Sequence, residues 1–415
     1  MSYRRRAAKG TGPALLLTMF AAPAAPLSLA AQHGAGMLGA QAVLAGTTND
    51  PIPGTGSRTE VRLLHPVLLG RWSMPGGWLS LAGTFNLEGW VVPGGEMTLG
   101  AWGEGFVDRR HPHTYVHELL AVAALPAPAD GAILSLSVGK GFAPFGSDDP
   151  MMRPVLKYPV NHHLSQILER AVAIAAARVG PAAIEAGLFN GDEPERPGQW
   201  PALRRFGDSW SIRSTLYPWP GFEAQLSRAS VASPEHRPGA GLRQTKWSAS
   251  IRWEGGSRAT RGYALAEWAR TSEADDQFVF TSVLAEGAVR LQAHQAYARF
   301  ERTERPEETR TGDLFRSRRP HLENSILGTT RWTIYTAGYG ITLAGPVRGL
   351  QLTPFVEGSH GRASERGSGF FDIEALYGGA TFWSASAGIR VSWRTAGHRM
   401  GRYGAAVQPE NAHLH

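Results

Sequence analysis

The 415-residue sequence contains no cysteine, so it can form neither a disulfide framework nor a thiol-based site. It also lacks an apolar run suited to a membrane-spanning helix. The best internal candidate, residues 171–189, is interrupted by charged residues, glycine and proline. The 50 glycines and 28 prolines instead indicate a chain with many turns.

The first 30 residues have the pattern of a secretory signal peptide. Four basic residues precede an apolar segment at 14–29, and Ser28-Leu29-Ala30 resembles a cleavage site. Removing this segment takes away four of the 42 basic residues and no acidic one, which lowers the formal net charge from +7 to +3. The remaining excess is too small to indicate a nucleic-acid partner.

The last strand-like stretch, residues 384–394, alternates strictly between two kinds of side chain. Odd positions are apolar or alanine, and even positions are polar or glycine. Since neighbouring side chains of a strand point to opposite faces, this pattern predicts one apolar face and one wet face. Its length suits a tilted strand that crosses a bilayer. The same alternation recurs along the chain, for example at residues 244–254 and 295–301.

Short turns alternate with long loops from the first strand to the last. The count gives about 16 strands, with both ends of the chain on the side of the short turns; one of these turns is placed at Gly287. This rhythm predicts an all-β fold, a transmembrane antiparallel up-and-down β-barrel at residues 31–395. The predicted organisation is completed by a signal peptide at 1–30 and a C-terminal tail at 396–415.

Five tryptophans lie near predicted strand ends, where aromatic residues line membrane interfaces. They are Trp72, Trp78, Trp253, Trp332 and Trp393.

Charged side chains lie on the polar faces of the predicted strands and are expected to line the lumen. The basic ones are Arg252, Arg299, Arg390 and Arg394, and the acidic ones are Glu185, Glu254, Glu301 and Glu357. Arginine rings favour anions and acidic rings favour cations, so this mixture leaves selectivity open. The long loops at 90–113 and 141–166 are long enough to fold inward and narrow the bore.

Histidines concentrate beside two long loops, in Asp108-Arg109-Arg110-His111-Pro112-His113 and in Asn161-His162-His163. Imidazole suits Zn²⁺ and Cu²⁺, which need three or four converging ligands. The metal candidates are therefore His111, His113, His162 and His163. The alternative interpretation is that these histidines hydrogen-bond to acidic side chains or to loop carbonyls and hold the loops against the wall.

A barrel hydrolase is a further alternative, with Asp208-Ser209 and His111, His113 or His162 as the candidate catalytic residues. The sequence has no nucleophile-elbow motif that would support it, and an Asp-Ser pair at a strand start is typical of a cap or turn.

A series of motifs resembles a known family. It comprises Asp-Arg-x-His-Pro-His at 108–113 with Glu118-Leu119, Asn161-His162-His163, Phe-Asn-Gly-x-Glu-Pro at 189–194, and Asp-Ser-Trp-Ser-x-Arg at 208–213. In this order they are similar to a family of Gram-negative outer-membrane β-barrel proteins of unassigned function, over residues 36–300. Arg110 stands where the family pattern has glutamine. The resemblance implies a barrel in the outer membrane and supplies no substrate.

Together these observations favour a porin-like channel in the outer membrane of a Gram-negative bacterium. The expected partners are membrane lipid and small solutes or ions. A metal-binding barrel and, less favoured, a barrel hydrolase are the alternatives; we expect no enzymatic activity and no cofactor. The residues predicted to line the lumen or its mouth are Asp108, Arg109, Glu118, Arg252, Arg299, Glu301 and Arg390.

Overall fold

The structure is a computed structural model, and it shows a closed antiparallel β-barrel. It describes residues 35–52, 56–91, 113–126, 132–155, 157–159, 162–194, 196–232, 243–257, 259–273, 276–308, 326–367, 372–377, 379–395 and 398–407. The strands are β1 (Ala35–Ile52), β2 (Gly56–Ser73), β3 (Leu79–Asn86), β4 (Val116–Pro126), β5 (Ile133–Gly141), β6 (Arg170–Val179), β7 (Ala182–Phe189), β8 (Ser209–Leu216), β9 (Phe222–Ala232), β10 (Arg243–Gly256), β11 (Thr260–Glu273), β12 (Phe278–Leu291), β13 (His294–Glu308), β14 (Ile326–Ile341), β15 (Leu343–Ala344), β16 (Leu350–Arg366) and β17 (Thr381–Trp393).

The wall closes because β1 pairs with β2 on one side and with β17 on the other. The two-residue strand β15 continues β14, and both pair with β16. With β14 and β15 counted as one strand, the wall of the barrel therefore consists of 16 strands. Each strand is antiparallel to both of its neighbours. This arrangement confirms the predicted fold class and strand number. Because the sheet has no free edge, the backbone N–H and C=O groups of every strand find partners in neighbouring strands.

Helices are few and short. They are α1 (Glu88–Val91), α2 (Ile373–Tyr377) and 3-10 turns at Pro150–Met152, His162–Leu164, Leu203–Arg205 and Gly404–Ala406. None of the helices in the described ranges is long and apolar enough to cross a bilayer.

The two faces of the wall differ as the alternation predicts. On β5, Leu134, Leu136 and Val138 are about half exposed on the outside, whereas Ser137 faces the bore and is 1% exposed. Large apolar side chains are exposed in the same way around the barrel, on β3, β7, β10, β12 and β16. An apolar outer surface of this extent needs an apolar environment.

The connections also differ between the two ends of the barrel. The end that carries the start of β1 and the end of β17 has short turns, such as 180–181, 257–259 and 292–293. The other end carries the long connections 87–115, 142–169, 190–208, 309–325 and 367–380. We call these the short-turn end and the long-loop end.

The hairpin between β12 and β13 differs from the predicted one. Gly287 lies inside β12, paired with Ala264 of β11, and the turn is formed by Gln292 and Ala293. A Cβ on Gly287 would meet the carbonyl oxygen of Tyr263 at 3.4 Å, an ordinary van der Waals contact, so strand packing does not by itself require glycine there. The turn contains no glycine, and its left-handed position is occupied by Gln292, which has a φ of 55°.

Trp332 and Arg394 lie elsewhere than predicted, whereas Glu254 keeps the bore face of β10 and lies at its rim. Trp332 points into the bore, where it is fully buried and stacks on Phe382 with ring centroids 5.3 Å apart, so it does not belong to an outer girdle. Arg394 lies beyond the end of β17 with a φ of 49° and is exposed over the Trp393 ring. Glu254 lies at the barrel rim with its side chain 46% exposed. The alternation rule holds only within a regular strand, and Arg394 lies past its end.

Candidate functional site

The connection between β5 and β6 folds into the bore, and we call residues 142–169 the inward loop. Its described residues are buried except Met152, Pro154 and His163, which are half-buried. At Gly146 the loop runs so close to its returning limb that a Cβ would lie 1.6 Å from the carbonyl oxygen of Ser165. The φ of 68° there also favours glycine. The expectation that residues 141–166 narrow the bore is confirmed.

The other loop expected to fold inward, residues 90–113, lies mostly outside the described residues. Its first turn, α1, is in the bore, because Val91 packs on the inward-facing Val43, Leu64 and Phe355.

The inward loop crosses the bore from wall to wall. On one side Gly146 N donates to Ser227 Oγ of β9 at 3.0 Å. On the other side Lys157 Nζ lies 3.3 Å from Glu357 Oε1 of β16, and Gln41 Nε2 of β1 donates to Met151 O at 2.9 Å. The loop is therefore anchored around the circumference and narrows the bore.

A second segment enters from the short-turn end. After β17 ends, residues 398–407, the C-terminal insert, return into the bore. Tyr403 packs among apolar side chains of the wall and the inward loop. Its hydroxyl donates to Glu118 Oε1 at 2.6 Å and accepts from Phe142 N at 3.0 Å. Farther along, Ala405 N donates to Ser135 Oγ at 2.8 Å.

The two inserts meet in a network of arginines and carboxylates. Arg399 of the C-terminal insert binds Asp148 of the inward loop at 2.6 Å and Glu223 of β9 at 2.8 Å. Arg402 binds the same two carboxylates. Burial disfavours the charged form of Asp148, but the arginines around it, Arg399 foremost, hold its pKa well below the ordinary range. Asp148 is therefore a fixed anion at the constriction.

One arginine of the wall holds both inserts. Arg213 of β8 makes a two-pronged pair with Glu185 of β7, at 2.6 and 2.7 Å. Its remaining donors reach Gly146 O of the inward loop at 3.1 Å and Gly401 O of the C-terminal insert at 2.9 Å. Planar guanidinium donors suit such fixed geometry, so Arg213 aligns the two segments against β7 and β8.

A histidine cluster lies between the start of β4 and the returning limb of the inward loop. His117 Nδ1 of β4 lies 2.6 Å from Glu169 Oε1, and His113 Nδ1 lies 3.5 Å from Glu88 Oε2. The ring centroids of His113 and His162 are 6.2 Å apart, and both rings pack against Tyr158.

Of the metal candidates, the structure brings His113 and His162 into one cluster. His163 lies at its margin, with Nδ1 3.2 Å from Glu193 Oε1, and His111 lies outside the described residues. Within the described ranges, no three histidines or carboxylates are arranged to hold an ion. Metal binding by these histidines stays a prediction.

The predicted lumen residues fall into two groups. Asp108 and Arg109 lie outside the described residues. Glu118, Arg299, Glu301, Arg252 and Arg390 all face the bore. Glu118 accepts from Thr84 Oγ1 at 2.8 Å, and Arg299 pairs with Glu286 at 2.6 Å.

The remaining predicted arginines of the wall have different surroundings. Arg252 lies over the Tyr263 ring and 2.6 Å from Glu254 Oε2. Arg390 donates to Gln41 Oε1 at 2.7 Å.

Ser209, the serine of the hydrolase alternative, forms hydrogen bonds that join the polypeptide segments around it. Ser209 Oγ donates to Asp208 Oδ1 at 2.7 Å and accepts from Ala232 N at 2.9 Å. Asp208 in turn accepts from Arg205 at 2.7 Å. These contacts tie the connection between β7 and β8 to β9, in the manner of a strand cap.

The C-terminal insert was not foreseen from the sequence, although a signal for it exists. The middle parts of strands β4 and β6 are apolar on both faces: Leu120, Val122, Val172 and Ile174 point inward and are at most 5% exposed. A wall that faces water needs polar residues there, whereas a wall apolar on both faces is covered on both. Loss of alternation in these strands thus indicates that something packs inside the barrel.

No protein-family model and no curated protein matches the chain. Among solved structures, the anion-selective porin from Comamonas acidovorans aligns at 8% identity and a TM-score of 0.48, covering 87% of this chain and all of that one. OmpF of Salmonella typhi, in complex with daunomycin, aligns at 9% identity and a TM-score of 0.49, covering 88% and 99%. In-vitro folded OmpT, an outer membrane protein of Vibrio cholerae, aligns at 10% and 0.46, covering 88% and 99%. Likenesses this distant transfer no function to this chain.

Proposed function

We propose that this protein is a narrow channel in the outer membrane of a Gram-negative bacterium that passes small polar solutes or ions. The observation that carries the proposal is the contrast between the faces of one closed wall. Its outside is apolar along the strands, while its inside carries charged and hydroxyl side chains over most of the circumference. Such a wall suits lipid outside and solutes inside.

The inserts make the channel selective for size. A barrel of 16 strands leaves an aqueous lumen unless segments of the chain enter it. Here the inward loop crosses the bore, and the C-terminal insert occupies the part lined by β4 to β9. The constriction is built by the ion pairs of Asp148, Arg399 and Arg402, so passage is restricted to small solutes.

Single-channel recording in planar bilayers tests the proposal, with correct folding checked by the different gel mobility of boiled and unboiled protein. We expect discrete conductance steps, and larger steps when residues 396–415 are deleted. Folded protein that gives no steps, with or without the tail, would overturn the channel function.

The metal-binding alternative is tested separately by calorimetric titration with Zn²⁺ and Cu²⁺. The observation that keeps it open is the proximity of His113 and His162. Micromolar or tighter binding that is lost in the double variant His113→Ala, His162→Ala would establish it, whereas a channel alone predicts no such binding.

A further inference from the structure

Two arginines face each other across neighbouring strands at the short-turn end. Arg261 of β11 and Arg290 of β12 occupy directly opposed positions. Arg261 lies on the face of β11 that carries the buried Tyr263 and Leu265, and Arg290 on the face of β12 that carries Leu284 and Ala288. Both guanidinium groups therefore project from the bore side of the wall and are partly exposed.

This pair is unfavourable for the wall itself. Opposed side chains on one face of an antiparallel pair have Cβ atoms about 5 Å apart, and like charges placed there destabilise the sheet. Among the described residues, neither Arg261 nor Arg290 forms an ion pair within 4.0 Å. Glu254, the acidic side chain whose charge acts on Arg290, is itself 2.6 Å from Arg252. The local structure thus leaves two neighbouring cations that solvent or a solute must balance.

The same part of the bore has an excess of positive charge. Besides this pair, five arginines face the bore within four residues of the strand ends at the short-turn end: Arg71, Arg178, Arg213, Arg252 and Arg390.

Over the same stretch of the described strands, the acidic side chains are Glu185, Glu223 and Glu254. Each one is already paired with an arginine: Arg213, Arg399 with Arg402, and Arg252 respectively. The bore-facing side chains near the short-turn end therefore carry a net positive charge.

We propose that Arg261 and Arg290 form a binding site for small oxyanions, carboxylates or phosphates, and make the channel anion-selective. This inference rests on the proposed channel function. Two adjacent guanidinium groups offer planar donor pairs that match carboxylate and phosphate oxygens, and arginine rings in a pore favour anion passage. A bore lined by one sign of charge also concentrates ions of the opposite sign.

Reversal potentials in a KCl gradient test the selectivity. The wild-type channel is expected to prefer chloride, and the double variant Arg261→Gln, Arg290→Gln is expected to lower that preference about tenfold, the lower end of the effect of focused charge. Inorganic phosphate should block the chloride current of the wild type and not that of the double variant. Arg302→Gln, which removes an exposed arginine from the outer face of β13, is the matched control.

The outcomes separate the two proposals. Absence of steps in the folded wild type overturns the channel function. Steps with cation preference, or a reversal potential and a phosphate block that are the same in the double variant, overturn the anion site alone. Phosphate block that is lost in bilayers of anionic lipid would assign the site to headgroups, which would then occupy it, and would also overturn the proposal. The unfolding temperature provides a second readout that does not depend on current. Because the opposed cations repel each other, the double variant should unfold at a temperature equal to or above that of the wild type. Phosphate should raise the unfolding temperature of the wild type only.

Discussion

Replacing Tyr403 with alanine should release the C-terminal insert from the bore. The side chain is 6% exposed and packs in an apolar cluster with Leu120, Val122 and Phe145. Truncating a large buried aromatic residue costs about 3 to 5 kcal/mol. Here the lost free energy affects docking of the insert and not the barrel, because the wall of 16 strands is closed without the insert. At about 1.4 kcal/mol for each tenfold change, the undocked fraction should rise by roughly two to three and a half powers of ten.

A graded variant separates packing from hydrogen bonding. Tyr403→Phe keeps the ring and removes the hydroxyl that joins Glu118 Oε1 to Phe142 N. Leaving such buried partners unsatisfied costs about 1 to 3 kcal/mol, so the shift should be smaller than that of Tyr403→Ala.

Trypsin provides the assay, because Arg399 and Arg402 lie within the insert, where Arg402 is buried and Arg399 half-buried while it is docked. Cleavage after these two residues, followed by mass spectrometry on folded protein in detergent, should be slow in the wild type, faster in Tyr403→Phe and fastest in Tyr403→Ala. Channel conductance should rise in the same order. Tyr335→Ala, which removes a 58% exposed tyrosine from the outer face of β14, is the control. Equal cleavage in the wild type and Tyr403→Ala would refute the docking argument.

Two further predictions concern the inward loop. Although burial opposes ionisation, the hydrogen bond and charge of His117 lower the pKa of Glu169 from the ordinary 4.5 to about 2. A carboxylate with a lowered pKa stabilises the fold above its ordinary pKa, and that contribution is lost as the pH falls towards 2. Conductance noise and protease access to the loop should therefore rise between about pH 4.5 and 2, and a flat response across that window would contradict the coupling. Gly146→Ala should loosen the loop by about 1 to 3 kcal/mol through its φ of 68° and the clash with Ser165 O, seen as faster proteolysis. Gly180→Ala, with a φ of 54° and no atom within 4 Å of the added Cβ, is the control; equal effects of the two variants would assign the result to backbone strain alone.

The sequence by itself determined the wall. Alternation along residues 384–394 and 244–254 reports which face meets water, because a strand exposes successive side chains to opposite sides. The even strand number and the two kinds of connection followed from this local pattern, and the structure confirms them. The inward direction of Arg299, Glu301 and Arg390 followed in the same way.

The local pattern was wrong where a residue's role depends on a neighbouring strand or on the end of the strand itself. Gly287 is typical of a turn, yet it lies within β12, paired with Ala264 of β11. Trp332 reads as an interfacial residue, yet it fills space in the bore against Phe382. Neither partner is close in sequence, so no local rule identifies it.

Only the tertiary structure decided what fills the bore. Asp148, Glu223 and Arg402 are separated by up to 254 residues in sequence, and ion pairs join them only once the barrel has closed. The opposition of Arg261 and Arg290 likewise depends on the register between β11 and β12, which pairs every residue of one strand with one of the other. Alternation states the face on which a side chain lies, whereas strand pairing and the path of the inserts decide what it meets there.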